Sequence, residues 1–376
     1  MRILLMRDAS NFHRALAGGL RALGHEAVVA SDGSRWMDTE RDIDLRRPFK
    51  NKLGGLLLWL KVKQRLSELR SFDVVSIATQ SFISLRPGRT RWLYDYLLRE
   101  NGSMFYSALG TDSNYVRACL DPAGPLRYNE YRIFDRPSPY HLAHPEDAAG
   151  WLSPELTELG EHIMATVEGA TTGLYEYHLT MRRALPAEKI AYCGIPIDTA
   201  SIEPLELPER IDCVNLFLGR HRDRQLEKGT DVIEAAAREV VARHPGKARL
   251  TIVENLPYAH YLEAQRQAHV VLDQLYSYTP ATNALLAMAR GLCTLSGGAP
   301  EFYDFIGEKE LRPVIHVEPT YDSVVEQLER IVAHPEGLCE RGRQGRAFVE
   351  KHNDARVVAQ RHLDFWTRRL REEGKL

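Results

Sequence analysis

Residues 270–298 read VVLDQLYSYTPATNALLAMARGLCTLSGG, and their order decides the architecture. A short apolar run from Val270 to Leu272 precedes a polar turn, a helical stretch reaches Arg290, and Leu292 to Leu295 is a second apolar run. Strand, helix and strand in about 30 residues make a parallel crossover unit. The spacing also predicts the helix limits, with Thr279 as N-cap, Pro280 in the first helical turn and Gly291 at the left-handed position past the end. Free amides and the positive end of the helix dipole then lie just beyond a strand ending near Asp273, where open α/β sheets bind anionic ligands. The same residues also suit a capped crossover helix with no ligand.

The alternation continues in both directions. At the N-terminus, Ile3 to Met6 forms a strand and Asp8-Ala-Ser-Asn11 a turn; Phe12, Leu16, Leu20 and Leu23 form a helical stripe that stops at Gly24. Further short apolar strands are predicted at 26–30, 72–78, 103–109, 214–218 and 249–253. This predicts an α/β protein of two Rossmann-like domains facing an interdomain cleft. A Pro- and Glu-containing break at 194–208 divides an N-terminal domain, 1–198, from a C-terminal domain, 199–361. The last helix, 354–371, carries Phe365 and Trp366, which need a partner surface; packing of residues 362–376 on the first domain supplies one. The stretch 121–150 has no period and is expected to form an acceptor-side lid.

Composition sets limits. A chain of 376 residues, 44% hydrophobic and 27% charged, has material for two cores. A net charge of −2 provides no global field for nucleic acid, so no nucleic-acid partner is expected. Five scattered cysteines without a C-x-x-C pair fit a reduced, cytoplasmic protein and provide no metal site. The N-terminus turns polar after one short apolar run, which fits neither a signal peptide nor a span. Residues 46–65 combine basic side chains with Leu53, Leu56, Leu57, Leu58, Trp59 and Leu60. A surface helix of that make-up suits a peripheral contact with the inner face of an anionic membrane; a core-packing helix with a basic rim is the competing expectation.

Two more loops in the second half carry chemistry. Gly219, Arg220, Lys228 and Gly229 follow the strand at 214–218, where cations neutralise a diphosphate. Gly297 and Gly298 follow the strand at 292–295 and let backbone approach a ligand, with Glu301 opening the next helix.

Arg220 with Lys228-Gly229, the Leu-Leu-x-Met-Ala-x-Gly helix ending at Gly291, Gly297-Gly298 with Glu301, and the Gly194-Ile-Pro-Ile-Asp198 linker resemble the large retaining (group 1 type) family of GT-B glycosyltransferases. The resemblance spans nearly the whole chain. It implies a nucleotide-diphospho-sugar donor of UDP or GDP type, bound without a metal or other cofactor through Arg220 and Lys228. It further implies that 1–198 is the acceptor-binding domain and 199–361 the nucleotide-sugar-binding domain, the acceptor being a glycan or lipid-linked molecule, typically in bacterial surface polysaccharide synthesis. The family's paired glutamates fall at Tyr278 and Leu286, and Leu109 stands where a histidine is common. Thr279, Thr282 and Asn283 are candidates to replace the first carboxylate with hydrogen bonds. Asp112 and His13, near strand ends of the first half, are the candidates for acid–base or acceptor contacts, although an Asp in Gly-Thr-Asp also forms turns and a His there also caps. A dehydrogenase needs a glycine-rich first turn, which Asp8-Ala-Ser-Asn11 is not. A nucleotide-sugar epimerase of the same architecture and a non-catalytic nucleotide- or glycan-binding partner remain as alternatives.

Overall fold

A computed structural model describes residues 1–34 and 37–375. The chain folds into two compact units, one of residues 1–125, 145–198 and 355–376, the other of 126–144 and 199–354.

The first unit is built on seven parallel strands: β1 (Arg2–Met6), β2 (Glu26–Ser31), β3 (Ile43–Asp44), β4 (Val74–Ala78), β5 (Ser103–Ala108), β8 (Gly169–Thr172) and β9 (Ile190–Tyr192). Their order is β3-β2-β1-β4-β5-β8-β9, so the winding reverses between β1 and β4. Strands covered by helices on both faces must be buried throughout, and β4 and β5 are. The polar members satisfy one another: the hydroxyls of Ser76 and Ser107 lie 2.8 Å apart, and Ser107 reaches Thr171 at 3.2 Å.

The helix Phe12–Ala22 buries Phe12, Leu16 and Leu20 and packs against the last helix, Ala355–Glu372. The approach is close enough that a Cβ on Gly19 would meet the Ala355 carbonyl oxygen at 2.1 Å. The expected partner surface for the C-terminal aromatics is β5: Phe365 and Trp366 lie 6.0 and 5.9 Å from Phe105, ring centre to ring centre. The return to this unit begins at Ala355, whose amide bonds the Ile197 carbonyl at 2.9 Å, and not at 362.

The second unit has five parallel strands, β10 (Val214–Arg220), β11 (Ala248–Glu254), β12 (Val270–Leu272), β13 (Cys293–Ser296) and β14 (Ile315–His316), in the order β11-β10-β12-β13-β14. Here the winding reverses between β10 and β12. The unit also holds a small antiparallel hairpin, β6 (Arg132–Ile133) with β7 (Arg136–Pro137), and the short helix Pro139–Ala143. The sequence places the acceptor-side lid of 121–150 within the first domain, 1–198; its residues 126–144 pack instead with the second unit. Its residues are anchored by buried tyrosines, which local sequence patterns do not report.

Candidate functional site

In open parallel sheets, ligand crevices lie outside the carboxyl ends of the strands where the winding reverses. In the second unit that point collects the ends of β10 and β12. After β10 the chain turns through Arg222–Arg224 and the short helix Gln225–Lys228 to Gly229, whose φ of 67° is the left-handed region that favours glycine. Lys228 is half-buried and its ammonium makes no hydrogen bond or ion pair among the described residues. Burial lowers its pKa, and the nearby Asp273 carboxylate opposes that shift.

Asp273, just past β12, is held by two donors: Asn283 Nδ2 at 2.9 Å and Ser296 Oγ at 3.1 Å. Asn283 Oδ1 in turn accepts from Tyr261 Oη at 2.8 Å. The network fixes Asn283 in the first turn of the helix Thr282–Ala289. That helix starts later than the sequence predicted. Its N-cap is Ala281, with no side-chain cap, so Thr279 is not the cap and Pro280 is not in the first turn. Thr279 is buried instead, its carbonyl accepting from Ser277 Oγ at 2.5 Å, which fixes this stretch as a buried turn. The uncapped start leaves the first-turn amides, from Thr282 on, facing the strand ends.

The other predicted donor residues are more fully occupied. Arg220 ion-pairs with Glu234 and, at 2.9 Å, with Glu254, and Arg222 joins Glu254 at 2.8 Å, so its charge is matched within the protein. The glycines expected to admit a ligand make room for the chain itself. A Cβ on Gly219 would meet the Tyr261 ring at 2.3 Å, on Gly297 the Ser277 carbonyl at 2.1 Å, and on Gly298 the Val314 side chain at 2.6 Å.

Glu301 binds Arg127, 2.7 Å away, on the 126–144 segment. Burial pushes the Glu301 pKa up, but the bond to Arg127, a backbone amide bond and the charges of Arg127 and His316 together outweigh it, and the net shift is downward. Next to it, Tyr128 stacks on Tyr278, and Tyr278 Oη accepts from the amides of both Arg127 and Tyr128 at 2.7 and 3.0 Å. Thus Tyr278 is a buried seat for this segment.

In the first unit, His13 and Asp112 are both buried and bound by local structure. His13 Nδ1 lies 2.6 Å from the Arg7 carbonyl and its amide bonds Asp8 at 2.9 Å; burial pushes its pKa down to about 4. Asp112 caps the helix Ser113–Leu120 by accepting from the Tyr115 amide at 2.8 Å and also accepts from Tyr106 Oη; burial raises its pKa. Neither presents a group to solvent. A residue that sequence reasoning missed stands at this unit's own winding reversal: Arg7, directly after β1, bonds Thr79 Oγ1 at 2.9 Å and the Ser81 carbonyl at 2.7 Å beyond β4. Its position directly after the first strand was the available signal. Among the described residues no group of three or more His, Cys, Asp or Glu is placed to hold a metal ion.

No protein-family model matches the chain, and no curated protein does. Solved structures do. A sucrose-phosphate synthase from Thermosynechococcus elongatus is similar over 98% of this chain and 99% of its own, with a TM-score of 0.63 at 13% identity. Anabaena HepE in complex with UDP and glucose covers 98% and 100%, with 0.59 at 11%. The UDP-GlcNAc 2-epimerase from Neisseria meningitidis bound to UDP-GlcNAc covers 98% and 100%, with 0.50 at 11%. At such identities the likeness establishes the fold: the chain has the GT-B architecture of two Rossmann-like domains, with its last helix returning to the first.

Proposed function

We propose that this protein transfers a sugar from a nucleotide-diphospho-sugar of UDP or GDP type to a glycan or lipid-linked acceptor, with Lys228 rather than a metal ion as the principal charge partner of the diphosphate. The observation that carries this reading is the half-buried Lys228 ammonium at the β10/β12 reversal, without an ion-pair partner among the described residues. A partly desolvated cation gains most from an anion that arrives there, and the uncapped start of the helix Thr282–Ala289 adds amide donors to the same edge. As the sugar departs, negative charge grows on the nucleoside diphosphate, and fixed charges and dipoles that need no reorganisation lower that barrier. Arg220 contributes less, because its guanidinium already has two carboxylates. Tyr278 and Leu286 carry no carboxylate, so Thr282 and Asn283 are left to hold the sugar end by hydrogen bonds.

The test is acceptor-dependent release of nucleoside diphosphate from a panel of UDP- and GDP-sugars, with the glycosylated product identified by mass spectrometry. Turnover that needs an acceptor and disappears in Lys228→Ala supports transfer. The epimerase reading is favoured by the likeness to the 2-epimerase, and an isomerised nucleotide-sugar without any acceptor would replace transfer with it. Binding without turnover on any donor would leave a nucleotide-binding partner protein.

A further inference from the structure

We propose that the helix Lys52–Gln64 docks this protein on an anionic lipid bilayer, lying in the plane of the membrane surface. Leu53, Leu56, Leu57 and Leu60 stand at i, i+3, i+4 and i+7, the spacing of one helix face, and they are 53%, 43%, 39% and 49% exposed. Gly54, Leu58 and Val62, the buried residues of the same helix, form the opposite face and hold it to the first unit. A helix on a protein surface ordinarily turns polar residues outward; this one is apolar on both faces. Phe49 and Trp92 extend the exposed patch, at 53% and 37%.

The surroundings select the occupant. Residues 46–65 contain seven Lys and Arg and no Asp or Glu. Lys50 and Lys52 at the start of the helix are exposed, and no ion pair engages them among the described residues. At the other end Lys63 sits over the Trp92 ring, 3.4 Å from its centre, with Trp59 4.9 Å away. Two tryptophans beside a lysine form an amphipathic border suited to the headgroup level, where rings bury their bodies and cations meet lipid phosphates. Nearby acids are already taken, Asp38 by Arg41 and Arg46 and Asp44 by Arg41 and Lys61. Among the described residues no helix is long and apolar enough to cross a membrane, so the geometry is that of an interfacial helix and not of a span.

The experiment is co-sedimentation of the full chain with sucrose-loaded vesicles of phosphatidylcholine alone or with phosphatidylglycerol added, without any donor or acceptor, so the outcome is independent of the transfer reaction. The protein should pellet with the anionic vesicles, much less with the neutral ones, and should come off as salt rises. Removing both charges in Lys50→Gln/Lys52→Gln should weaken partitioning about fivefold per residue, the equivalent of about 1 kcal/mol each. Leu56→Gln/Leu60→Gln should abolish binding while leaving the thermal transition in place, because both side chains are already exposed. Equal binding to both vesicle types, no binding to either, or unchanged binding in the leucine variant would overturn the proposal. So would a dimer in light scattering that this variant converts to a monomer without any vesicle binding, which would make the face a contact between two copies.

Discussion

Tyr128 and Tyr278 are stacked, their ring centres 4.4 Å apart and their planes 6° from parallel, although 150 positions separate them in the chain. The pair fastens 126–144 to the second unit by both an apolar contact and a hydroxyl that accepts two amides. Tyr278→Phe should keep the stack and leave the Arg127 and Tyr128 amides without that acceptor, at a cost of about 1–3 kcal/mol. Tyr278→Ala should cost about 3–5 kcal/mol by adding a cavity. Urea unfolding of both variants measures the difference, and limited proteolysis should cut within 126–144 sooner in the alanine variant.

Lys228 and Arg220 should separate cleanly in a calorimetric titration with UDP or GDP. Loss of one charged contact to phosphate is worth about 1.5–3 kcal/mol, so Lys228→Ala should weaken the preferred nucleotide roughly tenfold to a hundredfold with little loss of stability. Arg220→Ala should do the reverse, weakening nucleotide less and destabilising the fold by about 1–3 kcal/mol, since Glu234 and Glu254 lose their common partner. Equal binding losses in the two variants would contradict this division.

His13 and His362 should make the first unit sensitive to mild acid. Both are buried, both are pushed down to about 4 by burial, and the Nε2 atom of each has no partner among the described residues. An unfolded histidine takes up its proton near pH 6.5, whereas these stay neutral until about pH 4. Their contribution is therefore intact above pH 6.5 and lost as pH falls from there towards 4, by about 1.4 kcal/mol per pH unit for each residue. Chemical denaturation between pH 7.5 and 4.5 should show that slope. His13→Asn/His362→Asn, which retains a donor for the Arg7 and Val358 carbonyls, should flatten it.

Gly18 and Gly19 are adjacent in one helix and should respond in opposite directions to the same change. Nothing lies within 4 Å of a Cβ on Gly18, so Gly18→Ala should stabilise by about 0.5–1 kcal/mol through helix propensity. Gly19→Ala drives its methyl into the Ala355 carbonyl oxygen and should cost about 1–3 kcal/mol. Thermal melts of the two single variants are sufficient to test the pair.

The strands that read clearly in the sequence are those whose burial is written in branched and aliphatic side chains, such as β1, β10 and β12. β8, Gly-Ala-Thr-Thr, escaped notice because its threonines are buried by hydrogen bonds and not by being apolar, Thr171 with Ser107 Oγ in β5 and Thr172 with the Ala191 carbonyl, and its glycine is there because a Cβ would meet Phe365 at 2.7 Å. Among the candidate site residues, Lys228 and Asn283 could be singled out because each lies in the loop or first helical turn that follows a strand end. The occupation of Arg220 by Glu234 and Glu254 was not, since Glu234 lies fourteen residues on in the following helix and Glu254 stands opposite it only once β10 and β11 pair. Gly297 and Gly298 were legible as close approaches, but what approaches is Ser277 and Val314. Sequence spacing reports that a Cβ is excluded and is silent on which atom excludes it.

Because the second unit is assembled from 126–144 as well as 199–354, it is not inherited as one uninterrupted stretch of gene. A recombination joint placed at residue 198, the boundary that strand alternation makes most obvious, takes Arg127 and Tyr128 from one parent and Tyr278, Glu301 and Glu318 from the other. Chimeras between distant homologues at that joint would carry a mismatched strap and seat. Exchange of the second unit for that of a homologue therefore works as a two-segment transplant, with 126–144 travelling alongside the larger piece.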